Sequence, residues 1–146
     1  MKTDAIFIRT PETSWTPASS IYGKDILYDD KEIVFIKRLT DRLENGKGIA
    51  YLIKFIPPEE KIIRTVAVAR SDEHVYILEG GYCLRNGEQR LLPEDYILNP
   101  EGHSHAALVN IKTVVLVVCA GQPDEVKEIS VIETQPYRRE PAGSSC

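Results

Sequence analysis

The stretch Ser71-Asp72-Glu73-His74-Val75-Tyr76-Ile77-Leu78-Glu79-Gly80 decides the fold. A Ser-Asp turn opens it, an apolar run over His74–Glu79 follows, and glycine closes it. Neighbouring strand residues face opposite sides, so an inward Glu73 implies an outward His74. Short apolar or alternating runs recur on both sides of this stretch: Glu32–Arg38, Gly48–Ile56, Lys61–Ala69, Tyr82–Leu84, Glu88–Leu92, Tyr96–Leu98, Ser104–Val109, Thr113–Cys119 and Glu128–Ile132. Turn signals separate them, among them Asp29-Asp30, Asn45-Gly46, Pro57-Pro58, Asn86-Gly87, Pro93-Glu94-Asp95, Pro100-Glu101-Gly102 and Gly121-Gln122-Pro123. Asn86-Gly87 suits a tight hairpin between Tyr82–Arg85 and Glu88–Leu92, because both residues tolerate positive φ. Only Leu39–Asn45, stopped by Gly46, reads as a short helix. Many short strands at regular spacing predict an antiparallel sandwich or barrel rather than βαβ units.

The composition agrees. With 146 residues, 42% of them hydrophobic, the chain fits one domain with its own core. A net charge of −4 without a clustered basic surface argues against nucleic acid as a partner. Arg138-Arg139 is followed at once by Glu140 and reads as a solvated tail. The odd set Cys83, Cys119 and Cys146 has no paired spacing, so neither a disulfide framework nor a zinc ribbon is expected; Cys119 reads as a small core residue. The apolar cluster Ala5–Ile8 is too short for a signal-peptide core, and no run approaches the ~20 residues that cross a bilayer. The expected setting is cytoplasmic and away from membranes. Residues 1–133 are expected to form the single domain and 134–146 an extended or disordered tail.

Two segments resemble the cupin superfamily, whose paired motifs are His-x-His-x3–4-Glu-x6-Gly and Gly-x5-Pro-x-Gly-x2-His. Glu73 to Gly80 matches the end of the first. Pro100-Glu101-Gly102-His103-Ser104-His105 matches the second, with Glu94 in place of its opening glycine. The resemblance covers 48–121. It implies a small all-β, antiparallel cupin-type barrel or jelly roll, and a homodimer formed through the outer sheet and N-terminal strand. Counting back from Glu73, however, the first motif's two histidines fall on Ala67 and Ala69, or on Val66 and Val68. The usual three-histidine, one-carboxylate metal site cannot form.

What remains is a reduced set. By the resemblance, Glu73 and His105 point into the barrel from facing strands; burial would raise the carboxyl pKa, which suits a general acid or base. The alternatives are a solvated turn residue at Glu73 and a hydrogen-bonded core histidine at His105. His103 shares the parity of His105 but lies nearer the rim. Glu73, His103 and His105 together would be adequate for a weakly bound divalent iron, zinc or nickel ion. Ala67 and Ala69 open volume that suits a small organic ligand, or simple repacking. Arg38 and Lys54, inside apolar strands, are cations either of an exposed strand face, the favoured reading, or of the pocket.

Three functions follow in order. The first is an acid–base enzyme (isomerase, cyclase or lyase) acting on a small organic substrate without a cofactor or with a weakly held metal. The second is a metal-dependent oxygenase or lyase with depleted ligands. The third is a non-catalytic ligand-binding or sensory barrel. No phosphate-binding loop, dinucleotide fingerprint or serine nucleophile motif is present.

Overall fold

A computed structural model describes residues 4–136. The core strands are those whose alternation puts small branched side chains inward. Val34–Asp41 (β2), Ile49–Phe55 (β3), Glu73–Glu79 (β5), Tyr96–Asn99 (β8) and Thr113–Cys119 (β10) join the two-residue Thr16–Pro17 (β1) in one sheet, in the order β1-β2-β3-β10-β5-β8. Lys61–Val68 (β4), Ser104–Val109 (β9) and Glu125–Glu133 (β11) form the facing sheet, in the order β11-β4-β9. Tyr82–Cys83 (β6) and Gln89–Leu91 (β7) make a separate hairpin packed against β9. Every pairing is antiparallel. This is the expected all-β jelly-roll barrel, and its core is Ile63, Val75, Ile77, Val109, Val115 and Val117, held between the sheets. Among the described residues no helix is long and apolar enough to cross a membrane.

The local differences have physical reasons. Pairing with β3 carries β2 through Asp41, so the expected helix over Leu39–Asn45 shrinks to one 3-10 turn at Leu43–Asn45. Gly46 does stop it, in the left-handed region at φ 65°. The Asn86-Gly87 hairpin is wider than two residues. Leu84 N–H bonds to Glu88 O at 2.8 Å, so Arg85, Asn86 and Gly87 form the loop, and only Gly87, at φ 90°, takes a positive angle. Glu94, which stands where the second motif opens with glycine, adopts φ 77°, a conformation that favours glycine. Of the tail expected over 134–146, residues 137–146 lie outside the described residues, Arg138, Arg139 and Cys146 among them. Gln135 still donates its N–H to Arg85 O at 2.8 Å.

The N-terminal segment folds across the outside of the larger sheet. Lys37 and Lys54 lie 4.7 and 4.5 Å from the Trp15 ring centroid, and Lys37 Nζ donates to Thr10 O at 2.6 Å. Lys54 is thus a cation of the outer face, and Arg38 is exposed.

Thr113 ties the β5–β6 bend to β10. It is fully buried; its hydroxyl accepts from Gly81 N–H at 3.1 Å and donates to Ile111 O at 2.9 Å. Gly80 beside it has φ 76°, and a Cβ there would fall 2.2 Å from Lys112 O. Thr113→Val keeps the shape but leaves the buried Gly81 N–H without a partner. Such an orphan costs about 1–3 kcal/mol. Urea unfolding should show a lower midpoint at unchanged slope; an unshifted midpoint would mean that water replaces the hydroxyl.

Candidate active site

Register carries Glu73 and His105 to one end of the barrel interior. Glu73 pairs with Asn99 on β8 and Cys119 on β10, while His105 pairs with Ala67 on β4. Alternation buries Glu73, only 5% exposed, and turns His74 to the outer face, where its Nδ1 lies 2.6 Å from Tyr96 Oη. Asn99 donates from Nδ2 to Glu73 Oε1 at 2.9 Å, and His105 Nε2 lies 3.5 Å from the same oxygen.

Asp124 is the residue that sequence reasoning missed. Its Oδ2 accepts from His105 Nε2 at 2.9 Å. It lies between the Gly121–Pro123 turn and β11, and three bonds clamp that turn to the β4–β5 connection. Ser71 Oγ donates to Gln122 O at 2.8 Å and accepts from Gly121 N–H at 2.9 Å, while Arg70 Nε donates to Pro123 O at 2.7 Å. Nothing in Pro123-Asp124-Glu125 separates this carboxylate from an ordinary solvated turn acid; the signal is wholly tertiary.

The opposite turn is held in the same way. Gly102 N–H donates to Ala69 O at 2.7 Å, and Ala69 N–H donates to His103 O at 3.0 Å. Ala69 is therefore buried backbone support and does not line the cavity, whereas Ala67 does. His103 lies exposed at the rim, its ring stacked 6.1 Å from that of His105. Its carbonyl faces His105 Nδ1 at 3.4 Å.

The electrostatics follow from this packing. Burial, and then the charge of Asp124, raise the Glu73 carboxyl to about 7, against the Asn99 hydrogen bond. Both ring nitrogens of His105 face acceptors, so the imidazolium is favoured and its pKa is raised, chiefly by the hydrogen bond to Asp124. Cys119 is the small core residue expected, and burial pushes its thiol up to about 12, which leaves it inert. Tyr51 on β3 and Tyr82 on β6, which also line the cavity, are likewise raised by burial and stay un-ionised.

The trio borders a cavity of about 500 Å³ with mostly apolar walls, including Val75, Ile97, Ala107 and Val117. One donor atom from each of Glu73, His105 and Asp124 lies within 4.8 Å of the others. Asp124 Oδ1 is buried with no hydrogen-bond partner. One nitrogen and two carboxylate oxygens fit a divalent ion such as iron, manganese or zinc. His103 is not part of this cluster.

No protein-family model matches the chain, and neither does any curated protein. Solved structures do. A cupin-like protein of unknown function from Ralstonia eutropha JMP134 superimposes with a TM-score of 0.61 at 15% identity, over 85% of this chain and 77% of that one. KdgF from Halomonas sp. gives 0.54 at 20% identity, over 82% and 96%. The polyketide cyclase RemF from Streptomyces resistomycificus gives 0.53 at 16%, over 87% and 84%. The chain therefore has the fold of a single cupin barrel.

A raised carboxyl pKa makes stability depend on pH. Between the ordinary carboxyl value and about 7, folded Glu73 holds a proton that the unfolded chain has released, so stability falls as pH rises. His105, also raised, contributes in the same sense: its stabilisation is complete below about 6.5 and fades above it. Glu73→Gln should therefore raise the melting temperature at pH 8 and lose most of that advantage at pH 5. A gain that does not change with pH would show that Glu73 is not held protonated by the fold.

Proposed function

We propose that this cupin barrel is a cytoplasmic enzyme for a small organic substrate, acting by proton transfer as an isomerase, cyclase or lyase. One observation carries the reading. A buried carboxyl raised to about 7 lies 3.5 Å from an imidazole at the wall of an apolar cavity. A group titrating near working pH is best able both to take and to return a proton. Asn99 donates to Glu73 Oε1 and so orients the carboxyl. Asp124 holds His105 in one orientation and supports its protonated form, so the imidazolium can offset charge that develops on substrate oxygen. Ala67 keeps the wall low beside His105, giving room for the ligand. The polyketide cyclase RemF shows that this fold can host a cyclase.

A second reading rests on the unpartnered Asp124 Oδ1 and the convergence of three donors. Glu73, His105 and Asp124 would hold a weakly bound divalent transition metal, which would supply Lewis acidity to a substrate oxygen. In place of His103, expected from the sequence to join the set, this reading uses Asp124.

Hydrogen–deuterium exchange separates these readings. The protein is incubated in D2O with a panel of 1,3-dicarbonyl and α-hydroxycarbonyl compounds and followed by proton NMR. Wild type should label at least one compound. Glu73→Gln and His105→Ala should each slow labelling by at least ~100-fold while staying folded, and His74→Ala should not. Loss of labelling on EDTA treatment, with return on adding one divalent ion, would replace the acid–base reading with the metal one. Binding without labelling of any compound would make the barrel a non-catalytic binder.

The outer face of the larger sheet supports a homodimer. Val118, His74 and Leu98 form one cross-strand row, and Leu116, Tyr76 and Tyr96 the next. Leu98 and Tyr96 are 46% and 54% exposed, more than an isolated surface residue requires. Light scattering should give twice the chain mass, and the double change Tyr76→Asp, Leu98→Asp should halve it. A monomeric wild type would remove this proposal.

A further inference from the structure

Beside the cavity, and sharing Tyr82, Arg90, Ala106 and Ala107 with it, runs a groove of about 270 Å³. Three arginines line the groove: Arg64, Arg85 and Arg90. Arg64 is already neutralised by Glu128 at 2.7 Å. Among the described residues Arg90 pairs with no carboxylate and donates no side-chain hydrogen bond. Lys61 and Lys112, by contrast, pair with Glu133 and Glu79, while Arg85 in the same groove shares, among the described residues, the lack of a carboxylate partner.

Arg90 is also the one arginine of the three that lines the cavity itself. It comes from the β6–β7 hairpin, whereas Glu73 comes from β5 and Asp124 from the β10–β11 connection. The cavity thus has a cationic group and an acid–base group on separate elements. A guanidinium offers a planar fork of donors that matches a carboxylate in two parallel hydrogen bonds. At a mouth partly screened by protein, such a pair is worth more than in open water.

We infer that Arg90 is the anchor for an anionic group, so that the barrel takes a small organic carboxylate whose apolar body enters the cavity toward Glu73 and His105. This rests on the reading of the cavity as the substrate site. It adds the substrate's charge and the residue that selects it. Arg90 is exposed, so the ligand's charge stays partly hydrated beside it.

Isothermal titration with benzoate and its uncharged isostere benzamide tests the anchor without any turnover. Wild type should bind benzoate at least ~10-fold more tightly, by the ordinary worth of a charge-assisted hydrogen bond. Arg90→Gln should abolish the preference while leaving benzamide binding in place, and Arg90→Lys should retain part of it. Arg90 is exposed, so these variants are expected to fold, and circular dichroism checks that they do. Equal binding of the two probes by wild type, or a benzoate preference that survives Arg90→Gln, would overturn the inference. Failure of the acid–base reading looks different: Glu73→Gln would keep full exchange activity while the benzoate preference stayed with Arg90.

Discussion

A carboxylate buried against apolar walls is the constraint around which this end of the barrel is organised. An uncompensated charge there would cost far more than the marginal stability of a small domain. The neighbours of Glu73 meet that cost in two ways. Asn99 donates a hydrogen bond to one oxygen, and His105 supplies a positive charge nearby. Asp124 acts against them, because it adds a second negative group and raises the Glu73 carboxyl further. The same carboxylate stabilises the protonated His105, so Asp124, its turn clamped by Ser71 and Arg70, helps one neighbour at the expense of the other. Such an electrostatic conflict on a cavity wall is a common mark of functional sites.

Backbone pairing holds the walls apart where the side chains are small. Ala67 leaves the wall beside His105 low, yet β4, which carries it, stays in register with β9 on one side and β11 on the other. The Gly102 and His103 contacts to Ala69, just past the end of β4, fix the same edge. The space beside Ala67 belongs to an apolar cavity of a size that suits a small ligand.

Most of the fold was legible because alternation is a local signal. Ser104–Val109 and Thr113–Cys119 have the expected bounds, and β5 differs by one residue. The misses were cases where pairing outweighed propensity. The Leu39–Asn45 run contains good helix formers, but Thr40 and Asp41 pair with Ala50 and Ile49. The β1 strand is two residues long and owes its existence to β2. Glu73 and His105 could be named from motif spacing and parity. Asp124 could not, since its role comes from a turn locked by residues fifty positions away in the chain. Arg90 was hidden for the same reason: in Glu88–Leu92 it looks like any strand-face cation, and only the packing of the hairpin on β9 brings it to the cavity.

The two chemistries open to the trio differ in a countable quantity, the number of protons it holds. With Glu73 protonated and His105 as imidazolium, one carboxylate is left ionised and the cluster is neutral. The protein reaches that state by itself, and the raised values of both groups favour it. A divalent ion needs the imidazole neutral and both carboxylates charged, a set of two negative charges that matches the ion but releases two protons to form. Binding would therefore weaken steeply as pH falls, by up to two protons per ion below the Glu73 and His105 values. An apolar surround favours whichever state is neutral overall, and both the doubly protonated trio and the metal complex qualify. The choice between them then turns on pH and ion availability, with the same three side chains serving either outcome.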